Sequence, residues 1–140
     1  MKTWIVYALI SMLFAGFTSV IAKLGLDGIS GELGLAVRTV LVFVLVLGFA
    51  VVTVPMSAVS ALTKENFFWL GLSAMTTSVS WIFYYKALKS GEVSTVALID
   101  KGSMVVAVLL AWWLLREQIT MRMLIGGMLM LAGLAVIARK

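Results

Sequence analysis

The sequence has no cysteine and no histidine, and only one of its 140 residues is proline. Without cysteine, the chain can form no disulfide and offers no thiolate ligand to a metal. Without histidine, it lacks the commonest metal ligand and the commonest proton shuttle. Paired carboxylates inside a helix and a phosphate-binding loop are also missing from the sequence. We therefore expect no metal, no cofactor and no enzymatic activity.

Charged residues are scarce, at 12% of the chain, whereas 63% of the residues are hydrophobic. Ordinary soluble domains carry about 25% charged residues, and a helix that crosses the ~30 Å hydrocarbon core of a bilayer needs about 20 apolar residues. These values predict an all-α, polytopic membrane protein, in which residues 1–140 form one domain of five transmembrane helices. The predicted helices cover residues 4–22, 33–54, 67–88, 93–115 and 121–138.

Three residues mark where these helices begin and end. Pro55 cannot continue a helix, so the second helix is expected to stop before it. Thr63 and Thr120 have side chains that accept hydrogen bonds from backbone N–H groups, and we predict that they cap the third and fifth helices. The turns between helices are short, which favours antiparallel packing of consecutive helices.

The basic residues are divided almost evenly between the two predicted faces of the membrane. Side A, with the amino terminus, has four and side B has five: Lys2, Lys64, Arg116 and Arg122 on side A, and Lys23, Lys86, Lys89, Arg139 and Lys140 on side B. Loop charge normally orients a membrane protein, so this balance favours dual topology with antiparallel pairing. A fixed topology with side B inside is the alternative. Single charges at helix ends suit lipid head groups, and no nucleic-acid partner is expected.

Three ionisable residues, Arg38, Asp100 and Lys101, fall inside predicted spans. A charge near the centre of a spanning helix costs at least ~2.5–3.5 kcal/mol, and such residues usually face a bundle interior or a wet cavity, where they mark ion or substrate pathways. Asp100 is therefore a candidate site for a proton, a cation or a substrate. The alternative is an ion pair of Asp100 with Lys101 or Arg38 that only holds helices together.

The third predicted helix carries a polar stripe at spacings of three and four residues, which places its members on one face. The stripe consists of Ser73, Thr76, Thr77, Ser80 and Tyr84, and Trp81 and Tyr85 flank it. Hydroxyls and aromatic rings beside a cavity can bind a ligand, so we predict a substrate or coupling-ion site from Asp100, Lys101, Arg38, Trp81, Ser80, Thr77, Tyr84 and Ser103. Hydrogen bonding between helices is the alternative role of the stripe.

Small residues recur on the first and fifth helices. They are Ser11, Ala15 and Ser19 on the first helix, and Gly126, Gly127 and Gly133 on the fifth. Small side chains let membrane helices approach closely, so we assign these positions to helix packing or dimerisation rather than to substrate binding.

Several of these stretches resemble the EamA domain of the drug/metabolite transporter superfamily. The similar segments are the run from Tyr84 to Gly91 (YYKALKSG), the run from Leu115 to Thr120 (LREQIT), and Ala97 to Ser103 (ALIDKGS), together with Arg38 in the second helix. The segment from Ala97 to Ser103 is similar to the corresponding stretch of the short, five-helix bacterial and archaeal branch. The fourth helix lacks the proline that many longer members carry there.

The resemblance implies a secondary transporter in a bacterial or archaeal inner membrane, which moves small organic metabolites by alternating access. Longer members contain two such units in inverted orientation, and a five-helix chain can obtain its inverted partner only from a second copy. We therefore expect an antiparallel homodimer in the lipid bilayer that carries amino acids, amines or drug-like molecules. The alternative is a non-transporting scaffold or accessory subunit with structural ion pairs. The sequence does not identify the substrate, the direction of transport or the coupling ion.

Overall fold

The computed structural model describes residues 3–137, and within them every regular element is an α-helix. The described helices, numbered in chain order, are α1 (Thr3–Gly25), α2 (Gly31–Thr53), α3 (Met56–Val59), α4 (Lys64–Ser90), α5 (Val93–Asp100), α6 (Ser103–Leu114) and α7 (Met121–Ile137). The all-α class is therefore confirmed. Residue 138, where the fifth predicted helix ends, lies outside the described residues.

Both predicted threonine caps are confirmed. At the start of α4, the Asn66 N–H donates to Thr63 Oγ1 (3.2 Å), while the Thr63 N–H donates to Asn66 Oδ1 (3.0 Å). This reciprocal pair satisfies two backbone donors that the helix itself leaves unbonded. At the start of α7, the Met123 N–H donates to Thr120 Oγ1 (3.3 Å). The same geometry begins α2, where Ser30 accepts from the Leu33 N–H (3.2 Å).

The fourth predicted helix, 93–115, corresponds to the candidate span Val93–Leu114, within which a tight turn at Lys101 and Gly102, here called the break, separates α5 from α6. At the division, the N–H groups of Gly102, Met104 and Val105 each donate to the carbonyl three residues earlier, at 2.9–3.1 Å. Bonds of this type wind the backbone more tightly than an α-helix does. The break follows Asp100 directly, and Gly102 favours it because glycine is a poor helix former.

Three stretches of residues 3–137 are long and apolar enough to cross a membrane: Thr3–Gly25, Gly31–Thr53 and Val93–Leu114, which contains α5 and α6. Helix α4 is long enough, with 27 residues, but its central hydroxyl groups make it less apolar. Helix α7 is apolar but has only 17 described residues. The chain is thus a membrane protein by these criteria, and spanning by α4 and α7 stays a prediction.

The chain forms two compact units, and the boundary between them falls within α1. The described part of unit 1 covers residues 3–20 and 91–137, and unit 2 covers residues 21–90. The predicted single domain over residues 1–140 stays a prediction.

Unit 2 has its buried core where the end of α1, the start of α2 and the end of α4 meet. Leu26, Tyr85 and Leu88 lie there, with 2%, 4% and 0% of their surface exposed. Lys23 Nζ donates to the carbonyls of Leu88 (2.6 Å) and Lys89 (3.1 Å), and Lys89 Nζ donates in return to the Leu26 carbonyl (2.8 Å). Each lysine thus satisfies carbonyl groups near the other helix's carboxyl end, where a positive charge is also favoured by the helix dipole.

Gly31 permits the close approach of α2 to α4 beside this core. A Cβ added at Gly31 would lie 2.9 Å from the backbone oxygen of Tyr85 and 3.2 Å from its carbonyl carbon. Since these are backbone atoms, they cannot rotate away as the tip of a side chain does. The absence of a side chain at this position therefore sets the distance between the two helices.

We predict that Gly31→Ala destabilises the protein by about 1–3 kcal/mol, the usual cost of overpacking a closely fitted contact. The matched control is Gly48→Ala in the same helix, where an added Cβ would meet no atom within 4 Å. That control should be neutral or stabilising by about 0.5–1 kcal/mol. Reversible unfolding in mixed micelles measures both changes, and equal stability of the two variants would contradict the assigned contact.

Candidate functional site

The predicted site residues fall in both units, and those of unit 2 cluster around Arg38. The Arg38 Cζ atom lies 4.5 Å from the centre of the Trp81 ring and 5.9 Å from the centre of the Tyr85 ring. Both distances are within the range of cation–π attraction, which Trp supports best and which strengthens where water is excluded. The structure therefore brings Arg38 and Trp81 together, as a cation lying over an aromatic face.

The antiparallel packing of α2 on α4 creates this contact. Arg38 is seven residues, or about 10 Å, beyond Gly31, whereas Trp81 is four residues, or about 6 Å, before Tyr85. The arginine side chain spans the difference by extending back toward the start of α2, the direction in which helical side chains tilt. Within unit 2, no carboxylate of the described residues lies within 4.0 Å of the Arg38 guanidinium, and Glu32 pairs instead with Lys86 (3.5 Å).

The predicted polar stripe lies on one uninterrupted helix, α4. The hydroxyls of Thr76 and Thr77 both donate to the Ser73 carbonyl, at 2.9 and 2.8 Å. Their donor hydrogens are therefore used within the helix, which leaves oxygen lone pairs as acceptors for a ligand or another helix. Ser80 is exposed on the same helix, and Tyr84 contacts the Tyr85 ring edge to face at 6.2 Å.

Unit 1 holds the second group of predicted residues, at the break between α5 and α6. Lys101 Nζ lies 3.5 Å from Asp100 Oδ2, and these side chains are 47% and 36% exposed. An ion pair this long and this exposed stabilises a protein little in water. Ser103 begins α6 directly after the break. A Cβ added at Gly102 would lie 3.0 Å from Leu134 Cδ1, so the glycine admits α7 close to the break.

The residues predicted for helix packing divide into two kinds. Ser19 is buried, with 8% of its surface exposed, and donates to the Ala15 carbonyl (3.3 Å), while Ser11 is exposed on the same helix. A Cβ added at any of the three predicted α7 glycines would meet no atom within 4 Å. These glycines, Gly126, Gly127 and Gly133, thus lie on open surface of the described chain, and their part in dimerisation stays a prediction.

Sequence reasoning missed the lysine contacts of unit 2 and the close fit at Gly31. Lys23 and Lys89 each lie in the last turn of a helix, a position that favours bonding to terminal carbonyls. That signal was available, but it identifies no partner helix. Sequence reasoning also missed an open groove of about 210 Å³ in unit 1, lined mainly by apolar residues of α6 and the start of α7 and edged by Glu117.

We predict that Arg38 and Trp81 stabilise the fold jointly, since a double-mutant cycle isolates the energy of a direct pair. With Arg38→Met and Trp81→Leu as the single changes, the coupling energy should be about 0.5–2 kcal/mol. The control cycle combines Arg38→Met with Trp69→Leu in place of Trp81→Leu. Trp69 is on the same helix and is 63% exposed. Unfolding in mixed micelles should give a coupling near zero for that control. Equal coupling in both cycles would contradict a specific pair.

Comparison with known proteins identifies the family of this chain. The model of the EamA-like transporter family matches residues 2–139. The chain is also 29% identical over 137 residues to a Sinorhizobium protein named "Uncharacterized transporter in cobO 3'region", covering 98% of this chain and 97% of that protein. No solved structure matches significantly. The family match over nearly the whole length, together with the apolar helices, shows that this membrane protein belongs to the EamA-like transporter family.

Proposed function

We propose that the protein is a secondary transporter, and not an enzyme, that moves amino acids, amines or drug-like metabolites by alternating access. The observation that carries the proposal is the tight turn at Lys101 and Gly102, directly after Asp100, within the candidate span Val93–Leu114. Transporters commonly place substrate and ion sites near the bilayer midplane on discontinuous helices, where irregular backbone lines a cavity. The membership of the chain in a transporter family supports this function.

The depth of the break supports the same function. Helix α5 has eight residues and α6 has twelve, which correspond to lengths of about 12 and 18 Å. The break therefore divides a span of about 30 Å near its middle, the thickness of a hydrocarbon core. A stretch of tighter winding within a helix often marks a functional hinge, so we assign the break to the transport pathway.

We propose five spans in one domain, formed by α1, α2, α4, the α5–α6 pair and α7. Helix α4 is less apolar than its neighbours, and its exposed hydroxyl groups gain little from lipid. Placing them along a polar pathway gives them hydrogen-bonding partners. Helix α7, with 17 described residues, reaches about 25 Å, which is close to the length that a span requires.

We further propose that two copies pair in opposite orientations in a bacterial or archaeal inner membrane. Five is an odd number of spans, so the two ends of one chain lie on opposite sides. The near balance of basic residues between those sides permits insertion in both orientations. The open surface at the α7 glycines is suited to close contact with a helix of the partner.

Asp100 is the proposed proton or cation site, since it is the carboxylate at the break. We predict that Asp100→Asn folds normally and retains downhill exchange, but loses accumulation driven by a proton or sodium gradient. The measurement is uptake into proteoliposomes, with substrates first identified by exchange against a metabolite library. The control is Glu117→Gln, which removes a carboxylate in the loop after α6 and should leave accumulation unchanged. Gradient-driven accumulation by Asp100→Asn at the wild-type level would refute the coupling role.

The contact between Lys101 and Asp100 (3.5 Å) favours a second function, a non-transporting scaffold in which these charges only neutralise each other. The doubly neutral variant, Asp100→Asn with Lys101→Met, separates the two functions. A scaffold would keep its stability and its cellular phenotype in that variant. We predict instead that the stability is nearly unchanged while substrate exchange falls to the level of empty liposomes, as measured in the same vesicles. Full exchange in the doubly neutral variant would contradict the transport role of the pair.

A further inference from the structure

The Arg38 side chain leaves a positive charge uncompensated within its own unit. It projects from a candidate span, Gly31–Thr53, and its described contacts are with the faces of Trp81 and Tyr85. An aromatic face attracts a cation but carries no net negative charge, so it cannot neutralise one. A charged residue within a span costs at least ~2.5–3.5 kcal/mol near the centre, and such residues normally acquire a partner.

The position of the rings limits how much of Arg38 they can occupy, since the Trp81 ring centre lies 4.5 Å from Cζ. A guanidinium group is planar, and its N–H donors point outward in the plane of the group. The group carries five N–H donors, which is more than one adjacent ring can occupy. Paired N–H donors at fixed spacing match the two oxygens of a carboxylate or phosphate, which accept two parallel bonds. Arg38 is only partly buried, so part of its surface remains exposed to such a partner.

The surroundings of the guanidinium are suited to a small ligand. Trp81 is partly exposed, and Thr77 lies four residues earlier on the same face of α4, with its hydroxyl hydrogen donated to the Ser73 carbonyl. A molecule bound at the edge of Arg38 would thus meet an aromatic wall and a hydroxyl oxygen that accepts hydrogen bonds. Ammonium and amide groups would supply donors to such an oxygen.

We infer that Arg38, held in position by Trp81 and Tyr85, forms an oxyanion subsite that binds the carboxylate of the transported molecule. This inference rests on the proposed transport function and narrows its substrate class to carboxylic acids, including amino acids, and excludes simple amines. Tyr85 is 4% exposed and is packed beside Gly31 at the α2–α4 contact. One of the two rings beside Arg38 therefore lies in the buried core of unit 2.

Modification of arginine by phenylglyoxal, located by mass spectrometry, tests the subsite on the unaltered protein. The protein is held in maltoside micelles without phospholipid or phosphate, and the probes are amino acids and short carboxylic acids, each compared with its primary amide. Binding acids should slow modification of Arg38 about tenfold at ~10 times their dissociation constant, by mass action, whereas the amides should have no effect. Arg116, which is exposed in the loop after α6, is the internal control and should react equally throughout.

A lipid phosphate offers the same oxyanion chemistry, since a long basic side chain can extend to the head groups. Adding phosphatidylglycerol distinguishes a bound lipid phosphate from the carboxylate of a small acid. Protection by that lipid without protection by any small acid would overturn the inference, and so would protection by acids and amides alike. If Arg38 does not react even without ligand, its edge is enclosed, and the inference is again wrong.

Transport measurements separate this inference from the proposed function. If the vesicles transport only amines that lack an oxyanion, the protein is a transporter but the subsite is wrong. If acids protect Arg38 but no substrate moves, the subsite stands and the transport function fails. In a working transporter, Arg38→Lys should raise the KM for the acid more than it lowers kcat, because lysine keeps the charge but loses the paired donors.

Discussion

In hydrocarbon, every backbone N–H and C=O group and every charge needs a partner within the protein, because no water is present to supply one. This constraint explains the polar contacts of the described chain. Several hydroxyls of α1, α2 and α4 donate to carbonyls of their own helices, as Thr39 does to Leu35 (2.8 Å). The terminal carbonyls of α1 and α4, which a helix cannot satisfy itself, receive the ammonium groups of Lys23 and Lys89. Polar groups without such internal partners are therefore candidates for contact with a ligand or a second protein copy.

The lysine contacts also position the aromatic platform. They hold the end of α4 against the end of α1, and the glycine at position 31 allows α2 to approach the Tyr85 backbone. Once α2 and α4 are in contact at this end, the side chain of Arg38 can reach back over Trp81. The cation–π contact is thus a consequence of helix-end packing two turns away. A change at the helix ends should consequently alter the arginine site without touching it.

Contacts between residues close in the chain could be predicted from the sequence, whereas contacts between distant residues could not. Thr63 and Thr120 were predicted as caps because a cap depends only on a side chain and the next three residues. The helix break at Gly102 was missed, since the run from Val93 to Leu115 is mostly apolar, and apolarity does not reveal a change in hydrogen-bond pattern. Arg38 was singled out by its charge, but its neighbour could be found only by packing α2 on α4. A single chain also cannot establish whether α4 and α7 span, because their surroundings decide that.

Asp100 and Arg38 differ in charge and in the structure that surrounds them. This difference indicates how the two residues would share the work of a small carrier. Asp100 is at a discontinuity of the backbone, where a change of hydrogen-bond pattern can accompany binding, while Arg38 lies over rings at a closely packed helix contact. A rigid site suits recognition, because a preorganised group loses less entropy on binding. An irregular segment suits a conformational step, since tightly wound turns within helices often act as hinges. We therefore propose that α2 and α4 select the substrate and that the break between α5 and α6 responds to the coupling ion. Recognition and conformational change would then use different helices.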